Sequence, residues 1–183
     1  MKLVSLPRKA TPFVGQLAQD LGLAALVGGN LFGRLAMHPA LADISDETQR
    51  GRVLNHAWRR YGNVNSAALA ALVAGWIAVR GDAVGARWTS PARRRLILSN
   101  DVAVGAVVVT GLASAAGGVS FAQQAPDGAV PLASGSEPAP DTPARAAVLK
   151  RIANVLGGLN LVAELALVGV SALLARSSAD RRR

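Results

Sequence analysis

Four apolar stretches constrain this chain more than any other feature. They cover residues 14–36, 63–79, 97–121 and 153–175, and each approaches the ~20 residues that an α-helix needs to cross a ~30 Å hydrocarbon layer. A segment inside lipid must satisfy its own backbone hydrogen bonds, so stretches of this kind become helices. The expected fold is all-α: one polytopic membrane domain over residues 1–183, built as an antiparallel bundle of four transmembrane helices. Composition agrees, because 51% of the residues are hydrophobic yet only 4% are aromatic, too few large side chains for the core of a water-soluble domain this long. Ala, Gly and Val dominate instead, and they suit helices that pack backbone to backbone in lipid. The first stretch is the least apolar, interrupted by Gln16, Gln19, Asp20, Asn30 and Arg34. The second is short unless it extends back towards Tyr61.

A net charge of +9 raises nucleic acid as a partner, but the distribution of charge argues against it. The basic residues flank apolar runs, as Arg93, Arg94 and Arg95 do, and no aromatic interleaving or reader motif accompanies them. The lipid bilayer is the expected partner. If the two termini share a side, that side carries Lys2, Arg8, Lys9, Arg80, Arg87, Arg93, Arg94, Arg95, Arg176, Arg181, Arg182 and Arg183. The other side carries Arg50, Arg52, Arg59, Arg60, Arg145, Lys150 and Arg151. Twelve against seven places both termini in the cytoplasm of a cell (inner) membrane protein. Phe13 and Trp88 then fall near the inner boundary, and Trp58, Tyr61 and Phe121 near the outer one. A cleaved signal is the competing reading of the amino terminus, with Ala40 to Ala42 as the small-residue site. The apolar region is long for a signal, and Arg34 interrupts it.

Two connections stand out. After Pro39, which is expected to end the first helix, Ser45 or Asp46 can cap a new one. Over residues 45–61 an arc of Val53, Leu54, Ala57, Trp58 and Tyr61 opposes Arg52, Asn55, His56 and Arg59, which reads as an interfacial helix on the outer leaflet. Arg50 breaks that pattern by falling within the apolar arc. Residues 123–143 hold five of the nine prolines and are expected to form a flexible Pro-rich outer loop.

Polar residues inside the spans carry the only hints of chemistry. In "NLVAELALVGVSALLAR" a single carboxylate, Glu164, sits on a narrow helical face with Gly157, Asn160 and Ser171, while Leu159, Val162, Ala166 and Leu173 occupy the far side. An ionised carboxylate at that depth costs several kcal/mol unless it is paired, protonated or wet. Depth matching proposes a buried polar seam of Glu164, Asn160, Asp20, Asp101, Asn30 and Arg34, with Tyr61 and Asn65 on a mixed face of the second span. Two functions follow. The favoured one is a non-enzymatic structural or accessory component of the cell membrane, whose polar groups fix helix register and which contacts further copies or another membrane protein. The alternative is a small proton-coupled carrier or a membrane-embedded, cofactor-free oxidoreductase acting on a hydrophobic substrate around Glu164. No catalytic residue is assigned, and no cofactor is expected. The absence of cysteine removes thiolate chemistry, and His38 and His56, eighteen residues apart, match no compact metal-ligand motif, so no metal site is assigned.

Leu26 to Trp76, "LVGGNLFGRLAMHPALADISDETQRGRVLNHAWRRYGNVNSAALAALVAGW", resembles the first half of small four-helix bacterial membrane proteins of unknown function, and more distantly the anthrone-oxygenase-like family. The shared features are a Gly and a Phe late in the first helix, a following Pro (Pro39), and an aromatic with an Asn entering the second helix (Tyr61 and Asn65). The resemblance implies a four-helix bundle and, in the enzymatic members, cofactor-free oxidation of a polyketide aromatic. It supplies no matching catalytic set, and the Pro-rich loop after the third span departs from it.

Overall fold

A computed structural model describes residues 11–85 and 90–179. Lys2, Arg8, Lys9, Arg87, Trp88 and Arg181 to Arg183, which enter the charge count and aromatic assignment, lie outside the described residues. Four long helices account for most of the fold: α1 Thr11–Phe32, α2 Glu47–Gly85, α3 Pro91–Ala122 and α4 Ala144–Ala179. Among the described residues the nearest thing to a strand is one isolated bridge between Leu132 and Pro138. Three helical segments are long and apolar enough to cross a membrane: Glu47–Gly81, Pro91–Ala122 and Ala144–Ser177. α1 is not among them, because Gln16, Gln19, Asp20 and Asn30 dilute it.

The helices form two close pairs, α1 with α2 and α3 with α4. The pairs meet through slighter contacts of α1 with α4 and of α2 with α3. Small residues allow the close approach within the first pair. A Cβ added at Gly22 would lie 2.4 Å from the Ala68 carbonyl, and one at Gly75 would lie 2.4 Å from the Gly15 carbonyl. The backbones of α1 and α2 therefore touch where most helices present side chains. Between the pairs, Leu23, Leu26, Ala68, Leu72, Ala103, Val104, Val107 and Leu167 form an apolar layer at mid-height. The outward faces are greasy as well: Phe13, Leu21, Val102, Val109, Val155, Val162 and Leu173 are all exposed. Water would not support so continuous an apolar surface, and a bilayer would.

Three expectations are revised. Pro39 does not end the first helix. The chain passes through a π-helical turn, Gly33–Met37, into a short α-turn and a 3₁₀ turn that ends at Asp43. Pro39 has no N–H to give the Leu35 carbonyl, and its ring crowds that group. The wider turn, in which the His38 N–H reaches the Gly33 carbonyl, accommodates both defects. The segment assigned to a separate interfacial helix is the first part of α2, which continues unbroken into the second span. Gly62 at the expected junction is tolerated within a helix and faces open space, and no proline interrupts the run. Asp46 caps α2, its Oδ1 accepting from the Thr48 and Gln49 N–H groups at 2.8 and 3.1 Å.

Residues 123–143, expected to be flexible, form a packed cap over one end of the bundle. Val130, Leu132 and Ala139 are buried, the first two in a cluster with Leu41, Leu54, Phe121 and Ala146. Arg50 explains its own misplacement in the apolar arc. Its guanidinium donates to the carbonyls of Ile44, Leu132 and Ala133 at 2.6, 3.1 and 2.9 Å. Buried Asn55 donates to the Gly128 carbonyl at 2.6 Å, next to a turn in which Asp127 and Gly128 take left-handed backbone angles. Thr142 Oγ1 closes the cap on the Pro131 carbonyl at 2.7 Å. Prolines remove donors from the cap's own backbone, and α2 supplies the replacements.

The close pairing of α1 and α2 makes a direct prediction. Gly22→Ala forces two backbones apart and should destabilise the protein by about 1–3 kcal/mol. Gly105→Ala enters open space and should be neutral or stabilising by up to about 1 kcal/mol. Thermal unfolding of the detergent-solubilised variants distinguishes the two, and equal effects would contradict the packing described.

Candidate functional site

The polar residues of the bundle sort into two layers on either side of the apolar one. The layer nearer the cap centres on Glu164. It is only 1% exposed, because its face of α4 turns towards α1 while Leu159, Val162 and Leu173 turn outward. Asn160, one turn earlier, donates its amide to Glu164 Oε1 at 2.6 Å. Asn30 of α1 donates to both carboxylate oxygens at 3.4 and 3.3 Å. The carboxylate is therefore met by two side-chain amides, one from each helix pair.

The bonds extend on both sides of this centre. Thr110 Oγ1 of α3 lies 2.9 Å from Asn160 Oδ1 and 2.6 Å from the Ala106 carbonyl, so its single proton serves one of the two acceptors. Arg34 Nε donates to Asn30 Oδ1 at 3.4 Å, and its Nη2 donates to the Asn154 carbonyl of α4 at 3.0 Å. The π-helical turn places Arg34 there, and the same turn sets Gly33 against the Trp58 ring. Glu164, Asn160, Asn30 and Arg34 of the expected seam are thus brought together.

The other four are not joined to them. Asp20 is exposed on the outer face of α1, where it accepts from Gln16 at 2.8 Å. Its neighbour Gln19, 2% exposed, takes the inward position instead, since adjacent helical residues point ~100° apart. Asp101 belongs to the second polar layer. Its Oδ1 accepts from Trp76 Nε1 at 2.8 Å, and its Oδ2 pairs with Arg80 Nε at 3.0 Å, linking α3 to α2. Ser171 Oγ donates to Asn100 Oδ1 at 3.4 Å at a similar level. Tyr61 donates to the Ala25 carbonyl at 3.1 Å, holding α1 to α2. Asn65 is half-buried on α2, outside these bonds. Sequence reasoning missed Thr110, Asn154, Trp76 and Arg80, and of these only Arg80 gave a signal, as a charge at the edge of an apolar run.

Among the described residues, two hollows stand out on the surface. An apolar groove of about 460 Å³ runs between α3 and α4, lined in part by Val102, Ala106, Ala163 and Ala166. A slot of about 130 Å³ lies among Gly29, Phe32, Trp58 and Tyr61. Neither is lined by Glu164. Among the described residues, no three His, Asp or Glu side chains gather closely enough to hold a metal ion.

No family model, curated protein or solved structure matches this chain. Its chemistry is read from its own geometry.

A histidine lies at the cap, outside the spans. His38 stacks edge-on against Trp58 at 6.0 Å, its Nδ1 lies 3.1 Å from Ser136 Oγ, and its Nε2 is buried with no hydrogen-bond partner. Burial, then the nearby charges of Lys150 and Arg34, push its pKa down from 6.5 to about 4. Because the folded value lies below the unfolded one, stability is full above pH 6.5 and falls as the pH drops towards 4. The loss from this group amounts to roughly 3 kcal/mol at most. Urea unfolding at pH 7 and pH 4.5 should show that loss in the wild type and a smaller one in His38→Gln. An identical pH dependence in both would refute the assignment.

Proposed function

We propose that this chain is an integral cell-membrane protein with four spanning helices and both termini in the cytoplasm. It acts as a non-enzymatic structural or accessory component, through contacts with further copies or another membrane protein. The carrying observation is the way Glu164 is held: a buried carboxylate whose oxygens are met by amides from two helices that otherwise touch lightly. Such an arrangement fixes the register of one helix pair on the other, as interhelical polar bonds in lipid do. Support for a fourth span comes from α1, which packs along α2 and exposes Phe13, Val14, Leu17, Leu21, Leu31 and Phe32. Its resemblance to the small four-helix membrane proteins points the same way.

The cysteine-free sequence makes the topology directly measurable. Single cysteines at Ser5, Asp43, Glu137 and Arg176 should divide under a membrane-impermeant thiol reagent applied to intact cells. Positions 43 and 137 should label from outside, and positions 5 and 176 only after permeabilisation. Position 5 labelling with 43 would reduce the spans to three, and 137 labelling with 176 would remove α4 from the membrane.

The second reading, a proton-coupled carrier or a cofactor-free oxidoreductase, draws on the run of polar groups from Thr110 through Glu164 to Arg34. Glu164→Gln keeps the shape of the side chain and abolishes its titration, whereas Glu164→Leu removes the acceptor of Asn30 and Asn160. Under the structural reading, the Gln variant stays near wild type in thermal stability. The Leu variant loses about 1–3 kcal/mol. Proton flux into vesicles carrying the wild type, lost in Glu164→Gln at unchanged stability, would favour the carrier.

A further inference from the structure

Beneath the cap Lys150, Arg34 and His38 lie within electrostatic reach of one another, and Glu164, joined to Arg34 through Asn30, is the carboxylate nearest the group. Lys150, one turn before Asn154 on α4, is only 5% exposed, and its ammonium lies 5.5 Å from the centre of the Phe121 ring. Among the described residues that ring is its partner, and it has no hydrogen-bond acceptor. Asn154 ties Arg34 to His38: its carbonyl accepts from Arg34, its amide donates to the Ser136 carbonyl, and the Ser136 hydroxyl meets His38 Nδ1. Lys150 and Arg34 both act electrostatically on His38, and Arg34 acts on Lys150 and on Glu164. Arg34 uses Nε and Nη2 in the bonds described above, which leaves Nη1 available. His38 leaves a buried Nε2. With the Ser136 hydroxyl donating to Nδ1, that Nε2 carries the proton and is a donor. The backbone of Gly135 closes over His38, its N–H meeting the His38 carbonyl at 3.0 Å.

Buried cations are ordinarily paired. Here the spare donors are an ammonium, one guanidinium nitrogen and an imidazole N–H, arriving from two separate segments of the chain. They outnumber the two oxygens of a carboxylate and suit the three or more oxygens of a tetrahedral anion. We propose that Lys150, Arg34 and His38 form a binding site for a phosphate group, closed by the segment 133–138. The site lies level with Trp58 and Phe121, rings of the kind that favour the headgroup region of a bilayer. A phospholipid headgroup and a free phosphate anion present the same chemistry to it. Only the lipid source rests on the membrane reading above; the site itself does not.

The test uses the full chain purified in a non-ionic detergent. Thermal unfolding is followed against inorganic phosphate, with chloride at matched ionic strength as the reference. In a second arm it is followed against short-chain phosphatidylglycerol, with a diacylglycerol lacking phosphate as the reference. The wild type should be stabilised by at least one phosphate-bearing probe. K150M should need at least tenfold more of that probe for the same shift, while K150R stays within about threefold. H38Q, which keeps both cations, should weaken the response several-fold and carries the comparison if K150M does not fold. A response to inorganic phosphate identifies a soluble anion as sufficient; a response to phosphatidylglycerol alone identifies the lipid headgroup. The proposal is overturned if neither probe stabilises the wild type, or if the folded variants respond as the wild type does. Because cysteine labelling reports the spans independently, failure here leaves the topology standing, and failure there leaves the phosphate arm intact.

Discussion

A buried carboxylate that water does not reach must find its donors among its neighbours, and in this protein that demand determines how two halves meet. Contact within each helix pair is extensive, and between α1 and α2 small residues bring the backbones together. Between pairs the contacts are few, and apolar side chains in lipid have little reason to prefer one partner over another. Direction comes from polar groups. Asn30 and Arg34 reach from α1 to Glu164 and the Asn154 carbonyl on α4, and Trp76 and Arg80 reach from α2 to Asp101 on α3. These bridges flank the central apolar layer on either side. A slip of one turn along any of these helices would leave a charged or amide group without its partner, which is costly in a low-dielectric interior.

The cap follows the same logic at the end of the bundle. A segment so rich in proline lacks the donors to build a ladder of its own, and its stability is borrowed from side chains elsewhere. Arg50 and Asn55 of α2 and Asn154 of α4 supply donors to its carbonyls, and Val130 and Leu132 fill the space above Leu54 and Ala146. Charge gathers at the same end: Lys150 and Arg34 act on His38 beneath the segment whose Ser136 carbonyl Asn154 holds.

Much of this architecture is legible in the amino-acid sequence. Apolar runs of spanning length locate the helices, because lipid leaves a backbone no other way to satisfy itself. The 3.6-residue period brings Asn160 and Glu164 to one face and puts Leu159 and Val162 on the other. What is not legible is hidden for identifiable reasons. Asp20 and Gln19 are neighbours in sequence, and depth alone does not say which of them points inward; the glycine contacts of α1 with α2 decide it. Pro39 is read from sequence as a terminator, yet a widened turn absorbs it. The composition of residues 123–143 says that the segment cannot order itself, which is true and incomplete, since order comes from Arg50 and Asn55 more than seventy residues away. Arg50 is the visible clue, an anomaly in its arc.

The dispersion of the cap's partners along the chain has a consequence for assembly. Its contacts join the His38 carbonyl, residues 50 to 55, Phe121, and α4 from Ala146 to Asn154. No subset of neighbouring helices contains them all. The lid is therefore the keystone of biogenesis rather than its scaffold: it sets only after the last helix has arrived, and an unfinished bundle keeps its mouth open.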